Sequence, residues 1–152
     1  MSLNSVKQFF FEKDFNIEIM ELEESSATVD LAASAIGVEP QYIAKTLAFK
    51  TPEKNILIVT SGNAKIDNRK YKDYFKAKAK MLNAQEVIEI TGHPIGGVCP
   101  FGLRSKMEIY LDSTLKNFEY VYPAAGSPTC AIKLLVNELE RLTEGEWIDV
   151  CQ

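Results

Sequence analysis

The segment of this chain best suited to chemistry reads Gly96-Gly97-Val98-Cys99-Pro100-Phe101-Gly102. Three glycines and a proline in seven residues exclude a helix or a regular strand. Because glycine lets the backbone approach a ligand closely, successive N–H groups of such a loop could hold an anion or a developing oxyanion. A tight surface loop without a ligand has the same composition, and the pattern alone favours that second interpretation.

Lys45 is the second candidate, because it stands among apolar residues where a helix is predicted to pass into a strand. Pro40 suits the first turn of this short helix, which is expected to reach Lys45. A partly desolvated ammonium there could bind a phosphate or a carbonyl oxygen, or stabilise negative charge in a transition state. A lone lysine at a helix end more commonly extends its ammonium into solvent, so that role stays open.

A run of basic residues follows between positions 65 and 80, where tyrosine and phenylalanine are interleaved with lysine and arginine. Such a concentration of positive charge, in a chain of net charge −4, is typical of contact with a phosphate backbone. A solvated helix face explains the run equally well. The basic residues are Lys65, Arg69, Lys70, Lys72, Lys76, Lys78 and Lys80.

Several familiar chemistries are set aside. His93 is the only histidine, which excludes sites that need two, and its place before a proline favours a structural role. Cys99 could be a nucleophile beside backbone amides, but no base accompanies it in sequence. The three cysteines are scattered and odd in number, which argues against disulfides and a structural zinc site. No phosphate-loop or dinucleotide fingerprint is present, and no metal or organic cofactor is expected.

Length and composition predict one globular domain over residues 1–152. Apolar residues make up 46% and charged residues 25% of the chain, which is ordinary for a protein that buries a core. No apolar run is long enough to predict a membrane span. The first residues lack the order of a signal peptide, so the cytoplasm is the expected compartment.

Apolar periodicity predicts helices whose ends carry suitable residues. Thr28 and Asp67 can each cap a helix that follows. Gly37 and Gly92 can each end a helix, because glycine adopts the left-handed conformation without strain. A last helix carries Leu135, Leu139 and Leu142 on one face.

Strands are predicted between these helices, over residues 17–22, 46–50, 56–61, 107–111, 119–122 and 131–134. The second and third flank a turn-rich connection, so they are expected to form a hairpin. The order of helices and strands shows no repeated βαβ unit. The pattern therefore favours the α+β class, with a mixed, largely antiparallel sheet, over a doubly wound fold.

Taken together, these segments resemble the YbaK/ProX family of bacterial aminoacyl-tRNA editing proteins, relatives of the editing insertion domain of bacterial prolyl-tRNA synthetases. A lysine–threonine pair followed at this distance by a Gly-Gly-x-x-Pro-x-Gly loop is the most specific part of the resemblance. The resemblance covers nearly the whole chain. It runs through Ser26-Ala27-Thr28-Val29, Ala32-Ala33, Ile36-Gly37-Val38, Ile43-Ala44-Lys45-Thr46-Leu47, Ser61-Gly62-Asn63-Ala64-Lys65-Ile66-Asp67, residues 91–102, Tyr110-Leu111-Asp112 and Ala125-Gly126-Ser127.

The resemblance implies a partly barrel-like sheet flanked by helices and a deacylase that hydrolyses the ester between an amino acid and the 3′ end of tRNA. Proline-type tRNA carrying cysteine, alanine, serine or threonine is the expected substrate, and an aminoacyl-tRNA synthetase is a further candidate partner. Lys45 would be the essential lysine, and Gly96 and Gly97 would be catalytic residues of the active-site loop. The substrate-binding residues implied are Thr46, Val98, Cys99, Pro100, Phe101, Gly102, Asp112, Gly126 and Ser127. Lys65, Arg69, Lys70, Lys72 and Lys76 are expected to contact the tRNA.

Two functions from other classes stay open. A tRNA-binding module without catalysis would keep the basic run and tolerate loss of Lys45. A regulator of the same fold would show no salt-dependent affinity for tRNA, since a fold does not determine a function. An intact lysine and loop favour the hydrolase.

Overall fold

A computed structural model describes residues 2–23 and 25–152. Its helices are α1 (Ser2–Glu12), α2 (Val29–Ile36), α3 (Asn68–Phe75), α4 (Ala84–Thr91) and α5 (Val136–Thr143), with short 3-10 helices at Pro40–Tyr42 and Ser113–Asn117. Its strands are β1 (Ile19–Glu21), β2 (Ile43–Lys50), β3 (Asn55–Ser61), β4 (Glu108–Asp112), β5 (Tyr120–Pro123), β6 (Cys130–Ile132), β7 (Leu134–Leu135) and β8 (Glu146–Ile148).

Six strands form one curled sheet in the order β7-β5-β2-β3-β4-β8, and β1 pairs with β6 separately. The central strands β2 and β3 form the predicted hairpin, which aligns Ala44 with Ser61 at one end and Lys50 with Asn55 at the other. The predicted α+β class, with a mixed and partly barrel-like sheet flanked by helices, is confirmed.

Parallel pairing has a larger share of the sheet than the expected, largely antiparallel arrangement implies. Among the described strands, β2–β5, β3–β4 and β4–β8 are parallel, which is three of six pairs. The connections explain the difference. Two helices and a long loop separate β3 from β4, and a crossover of that length lets the chain re-enter the sheet in the same direction.

The predicted helix ends are confirmed. The side chain of Thr28 accepts a hydrogen bond from the Leu31 N–H, and Asp67 caps α3 in the same way. Gly37 and Gly92 follow α2 and α4 with φ angles of +86° and +80°. The local residues therefore determine where these helices begin and end.

The short helix at Pro40 is where the prediction was wrong. It is a single 3-10 turn, and β2 already begins at Ile43. Ile43 and Ala44 pair with β5, which satisfies backbone groups that a continued helix would have bonded internally. Lys45 consequently lies inside a central strand instead of at a helix end.

The last third of the chain departs from the predicted boundaries. The strand predicted over residues 131–134 is divided into β6 and β7, because they pair with different strands, β1 and β5. Leu139 and Leu142 are buried on α5 as predicted, whereas Leu135 precedes the helix and is exposed. The strand β8 was missed, since three residues are too few to show an alternating pattern.

The core is built around β3, in which Ile56, Leu57, Ile58 and Val59 are completely inaccessible to solvent. Side chains from α1, α5 and the loop at residues 99–101 cover one region of it, and α3 covers another. The rigid β2–β3 pair is therefore the platform on which the candidate residues stand. In the described residues, no helix is long and apolar enough to cross a membrane.

Tyr71 in α3 provides a test of this packing. Its ring is fully buried against Phe49 and Phe75, with ring centroids 5.1 and 4.6 Å away, but its hydroxyl has no hydrogen-bond partner in the described residues. An unpaired buried hydroxyl destabilises a fold by about 1–3 kcal/mol. We therefore expect Tyr71→Phe to leave the free energy of unfolding unchanged or to raise it by up to about 1 kcal/mol, as measured by urea denaturation.

Tyr74→Phe is the matched control, because the Tyr74 hydroxyl donates to the carboxylate of Glu146 at the surface. That substitution should lower stability slightly. A loss of more than about 1 kcal/mol in Tyr71→Phe would show that the buried hydroxyl is satisfied after all.

Candidate functional site

Lys45 projects from the middle of the sheet into a half-buried position. Its ammonium donates a hydrogen bond to the carbonyl oxygen of Ala64, in the loop that leads from β3 to α3. Burial lowers the pKa of Lys45; the thiol of Cys151 opposes this shift, and the nearby charge of Lys65 adds to it. The structure thus holds a partly desolvated cation at one defined point, which is the arrangement needed to bind an oxygen of a ligand.

A cavity of about 320 Å³ lies beside Lys45, along β2. Small side chains create it, because Ala44 and Ala48 on β2, Ala32 on α2 and Ala131 on β6 leave space that larger residues would fill. Most of the wall is aliphatic. The lining residues are Ser26, Ala27, Thr28, Val29, Ala32, Ile36, Ile43, Ala44, Lys45, Thr46, Leu47, Ala48, Met81, Leu82, Val87, Ile95, Gly96, Val98, Tyr122, Ala124 and Ala131.

The glycine loop reaches this cavity only with its first part. Gly96 and Val98 line it. Gly96 has a φ of +87°, and a Cβ there would come within 2.9 Å of Ala27. A side chain at Gly96 would therefore push against the segment that forms the opposite wall.

Gly97 has a different environment from Gly96. Its N–H donates to the carbonyl of Pro94 at 2.9 Å, and its own carbonyl accepts from the N–H of Gly126 at 3.0 Å. A Cβ at Gly97 would lie 2.5 Å from the backbone nitrogen of Ser127. Gly97, Gly126 and Ser127 thus hold two loops together, and the N–H of Gly97 is not free to bind an oxyanion.

His93 anchors the start of the loop. It is fully buried, its Nε2 donates to the carbonyl of Phe101 at 2.7 Å, and its Nδ1 accepts from the hydroxyl of Ser2. Burial lowers its pKa, partly offset by the bond to Phe101. Both ring nitrogens are occupied, so His93 holds the loop in shape and is not available as a base.

The remaining loop residues belong to the interior. Cys99 and Phe101 are completely buried in the core beneath α1. Burial raises the pKa of the Cys99 thiol to about 12, which disfavours the thiolate that a nucleophile needs. Pro100 and Gly102 face a separate hollow next to α1, where a Cβ at Gly102 would meet the backbone of Ser5 at 2.4 Å.

Asp112 lies under the C-terminal segment and away from the cavity wall. Its carboxylate is inaccessible to solvent and accepts from the N–H of Thr114 at 3.0 Å and of Val150 at 2.9 Å. Cys151, one residue further, pairs with Ile66 in an isolated bridge. Asp112 therefore helps to hold the chain end against the loop that carries Ala64, the partner of Lys45.

The structure brings together Lys45, Thr46, Gly96 and Val98 from the predicted set. The sequence analysis missed the wall contributed by α2 and the segment before it, including Ser26, Val29 and Ile36. The cap at Thr28 and the apolar face of α2 were visible in the sequence. A single sequence, however, does not indicate that this face of α2 lies beside β2.

All the predicted tRNA-contacting residues are exposed on or near α3. These residues belong to the basic segment, residues 65–80. It begins beside Lys45, because Lys65 directly follows Ala64, whose carbonyl binds the Lys45 ammonium. It ends beside the cavity, because Lys80 precedes the lining residues Met81 and Leu82. Lys70 is partly occupied, since its ammonium lies 3.1 Å from the carboxylate of Asp149 and its pKa is raised by that bond.

The part of the chain that the structure describes contains no group of three or more histidine, cysteine, aspartate or glutamate side chains placed to hold a metal ion. Cys99, Cys130 and Cys151 are all buried free thiols.

Comparison with known proteins gives a consistent result. The family profile for the aminoacyl-tRNA editing domain matches residues 23–142. The uncharacterized protein YwhH of Bacillus subtilis (strain 168) is 49% identical over the whole of this chain and 98% of its own length. The proposed Cys-tRNA(Pro)/Cys-tRNA(Cys) deacylase EbsC of Enterococcus faecalis is 25% identical over 84% of this chain and 79% of its own length.

A longer relative and a solved structure give the same result. The proline–tRNA ligase of Bacillus licheniformis is 32% identical over 65% of this chain, a region that makes up 18% of the ligase. A crystal structure of a proposed trans-editing enzyme for prolyl tRNA synthetase superimposes with a TM-score of 0.92 at 30% identity, covering 99% of this chain and 97% of the other.

The buried histidine gives a pH-dependent test of the loop. With its pKa lowered in the folded state, neutral His93 favours folding at neutral pH, and this contribution is lost as the pH falls. We expect the free energy of unfolding to fall below about pH 6.5, by at most about 1.4 kcal/mol per pH unit. Urea denaturation at a series of pH values would measure it.

His93→Gln is the control, because glutamine can still hydrogen-bond but does not titrate. The slope around pH 6 should vanish in this variant even if its stability is lower throughout. An unchanged slope would assign the pH dependence to carboxylates and not to His93.

Proposed function

Since this chain belongs to the aminoacyl-tRNA editing domain family, we propose that it is a trans-acting deacylase that hydrolyses the ester of a mischarged tRNA. The substrates to test first are proline-type tRNAs that carry cysteine, alanine, serine or threonine. A cytoplasmic location is part of the proposal, and an aminoacyl-tRNA synthetase is a candidate partner.

The observation that carries this proposal is the position of the Lys45 ammonium, half-buried and held by Ala64 at the edge of an apolar cavity. A cavity of about 320 Å³ can take a small amino-acid side chain together with part of its ester. Lys45 then binds the terminal ribose-phosphate or the ester carbonyl. An aminoacyl ester is already activated toward hydrolysis. The main task of the site is therefore to hold this ester in the correct position for attack.

Water, or a neighbouring hydroxyl of the substrate, is the attacking group in this proposal. Neither Cys99 nor His93 is suited to attack the ester: burial raises the pKa of the Cys99 thiol to about 12, and both ring nitrogens of His93 are engaged. Positioning the reacting groups can by itself account for a large part of a rate enhancement.

The basic segment supports an RNA substrate. Lys65 lies at one end of it beside Lys45, and Lys80 lies at the other end beside the cavity wall. Phosphates that follow this segment would bring the 3′ end of a tRNA to the cavity. The local concentration of charge compensates for the net charge of −4, because phosphate contacts act over about one Debye length, roughly 8–10 Å.

We expect Lys45→Ala to lower kcat/KM for the cleaved mischarged tRNA by about 10²-fold or more, since it removes the only ammonium at the cavity among the described residues. Deacylation would be followed with a panel of Ala-, Cys-, Ser- and Thr-tRNA of the proline type. Lys50→Ala is the matched control. Lys50 lies on the same strand but pairs with Glu86 at 2.6 Å, so kcat/KM should change less than about threefold.

The result also separates the alternatives. Full activity in Lys45→Ala would contradict the role of this lysine. Binding of tRNA without release of any amino acid would favour a non-catalytic tRNA-binding module, and the absence of both would favour a regulator of the same fold.

A second prediction concerns the basic segment. Replacing Arg69, Lys72 and Lys76 together by glutamine should weaken tRNA binding and reduce the slope of log K against log salt by about 2–3, since each phosphate contact contributes about 0.7–0.9. Filter binding at several salt concentrations would measure this.

The control for that experiment is the triple replacement of Lys7, Lys106 and Lys133 by glutamine, which removes the same charge from exposed positions elsewhere. If both triple variants reduce the slope equally, the tRNA does not follow α3.

A further inference from the structure

The outer edge of β2 carries backbone groups that no other segment within residues 2–23 and 25–152 pairs with. On this strand, every second residue points its N–H and C=O away from β3. Ala48 does so, because its carbonyl accepts from the N–H of Leu82 at 3.1 Å, and so does Lys50, whose N–H donates to Lys80 at 2.8 Å. Thr46 has the same parity, so both its backbone groups project from the same edge.

The edge is open at Thr46 because neighbouring segments cover only the two ends of β2. The strand β5 pairs with β2 at Ile43 and Ala44, and then ends at Pro123. The chain turns away there, and Ala124 bridges to Ala131 instead. At the far end, the segment around Met81 takes over opposite Phe49.

Thr46 therefore has three polar groups without a partner in the described residues: its N–H, its C=O and its buried hydroxyl. Backbone groups without a protein partner are rare inside a central strand, because the neighbouring strands normally pair them on both sides. The same residue lines the cavity of about 320 Å³. The gap in the pairing and the cavity thus coincide.

We propose that the aminoacyl group of the substrate docks on this open edge as one residue of an antiparallel strand would. Its α-ammonium donates to the carbonyl of Thr46, and its ester carbonyl accepts from the N–H of Thr46. This inference rests on the proposed deacylase function. It means that the site recognises the α-amino and carbonyl groups of the substrate, whatever its side chain.

The geometry of strands supports this match. In a hydrogen-bonded antiparallel pair, the two opposed residues exchange both of their N–H and C=O bonds. An aminoacyl ester presents the same two groups on either side of one Cα. The two side chains of such a pair share a face of the sheet, which places the substrate side chain beside Thr46, where Ala44 and Ala48 leave room.

Docking on Thr46 also supplies a donor for the reaction. Water forms a bond to the ester carbon, the ester C–O bond breaks, and the protons of water end on the released ribose hydroxyl and on the carboxyl group, which ionises. Negative charge develops on the carbonyl oxygen during this step, and the N–H of Thr46 faces it. The N–H of Thr46 can therefore donate to the oxyanion. The N–H of Gly97 cannot, because it donates to the carbonyl of Pro94.

Hydrogen exchange tests the edge directly. In the free protein, the Thr46 amide should exchange at least about tenfold faster than the amide of Leu47, which faces β3 opposite Ile58. Saturation with 3′-deoxy-3′-(L-alanylamino)adenosine, whose amide bond resists hydrolysis, should slow exchange at Thr46 and leave Leu47 unchanged. The propionylamino analogue, which lacks the amine, should protect Thr46 less.

Kinetics test the ammonium. For the tRNA ester that is cleaved fastest, the matching α-hydroxy ester should lose about 10- to 100-fold in kcat/KM relative to spontaneous hydrolysis, as expected for a hydrogen bond from a charged donor. Thr46→Val keeps the backbone groups and should retain the ratio between the two esters, whatever its effect on the rate.

Three results would overturn the inference: a Thr46 amide as protected as Leu47 in the free protein, an analogue that binds without slowing Thr46, or an α-hydroxy ester cleaved within about twofold of the amino ester. In the last case, deacylation itself would still stand. If no ester is cleaved but the analogue protects Thr46, the deacylase proposal fails and the docking edge is supported.

Discussion

The site depends on how β2 is paired. One edge of this strand is bonded to β3 from Ala44 to Lys50, and the opposite edge is covered only at its two ends. The continuous edge makes β2 rigid, because its groups are held by a strand in which Ile56 to Val59 are completely buried. The interrupted edge leaves an opening in the sheet beside Lys45. A rigid strand with a gap in its pairing can present fixed polar groups to a ligand without first breaking a hydrogen bond.

The surrounding elements keep that gap open. Pro123 ends β5, and the loop carrying Gly126 turns away to bond with Gly97. That contact requires glycine at position 97, since a Cβ there would collide with the backbone of Ser127. His93 holds the other side of the same loop through Phe101. The glycine loop thus acts mainly as a structural brace, and only Gly96 and Val98 reach the cavity.

Positive charge is concentrated around the cavity. The chain is acidic as a whole, yet the segment between Lys65 and Lys80 is basic and borders the cavity at both ends. The ammonium of Lys45 is kept apart from this surface by partial burial and by its bond to Ala64. Lys70 contacts the C-terminal segment, which is also held by Asp112. The chain end therefore supports the loop that positions Lys45.

The sequence by itself determined the features that depend on neighbouring residues. The caps at Thr28 and Asp67, the helix ends at Gly37 and Gly92 and the β2–β3 hairpin all follow from local geometry, and the structure shows each of them. The lysine–threonine pair and the glycine loop identified the family. Tertiary structure alone decided which of these residues meet. Four features depend on partners that are distant in sequence: the end of the Pro40 helix, the short β8, the α2 wall of the cavity and the open edge at Thr46. A single sequence does not indicate which strands pair, or where a strand is left unpaired.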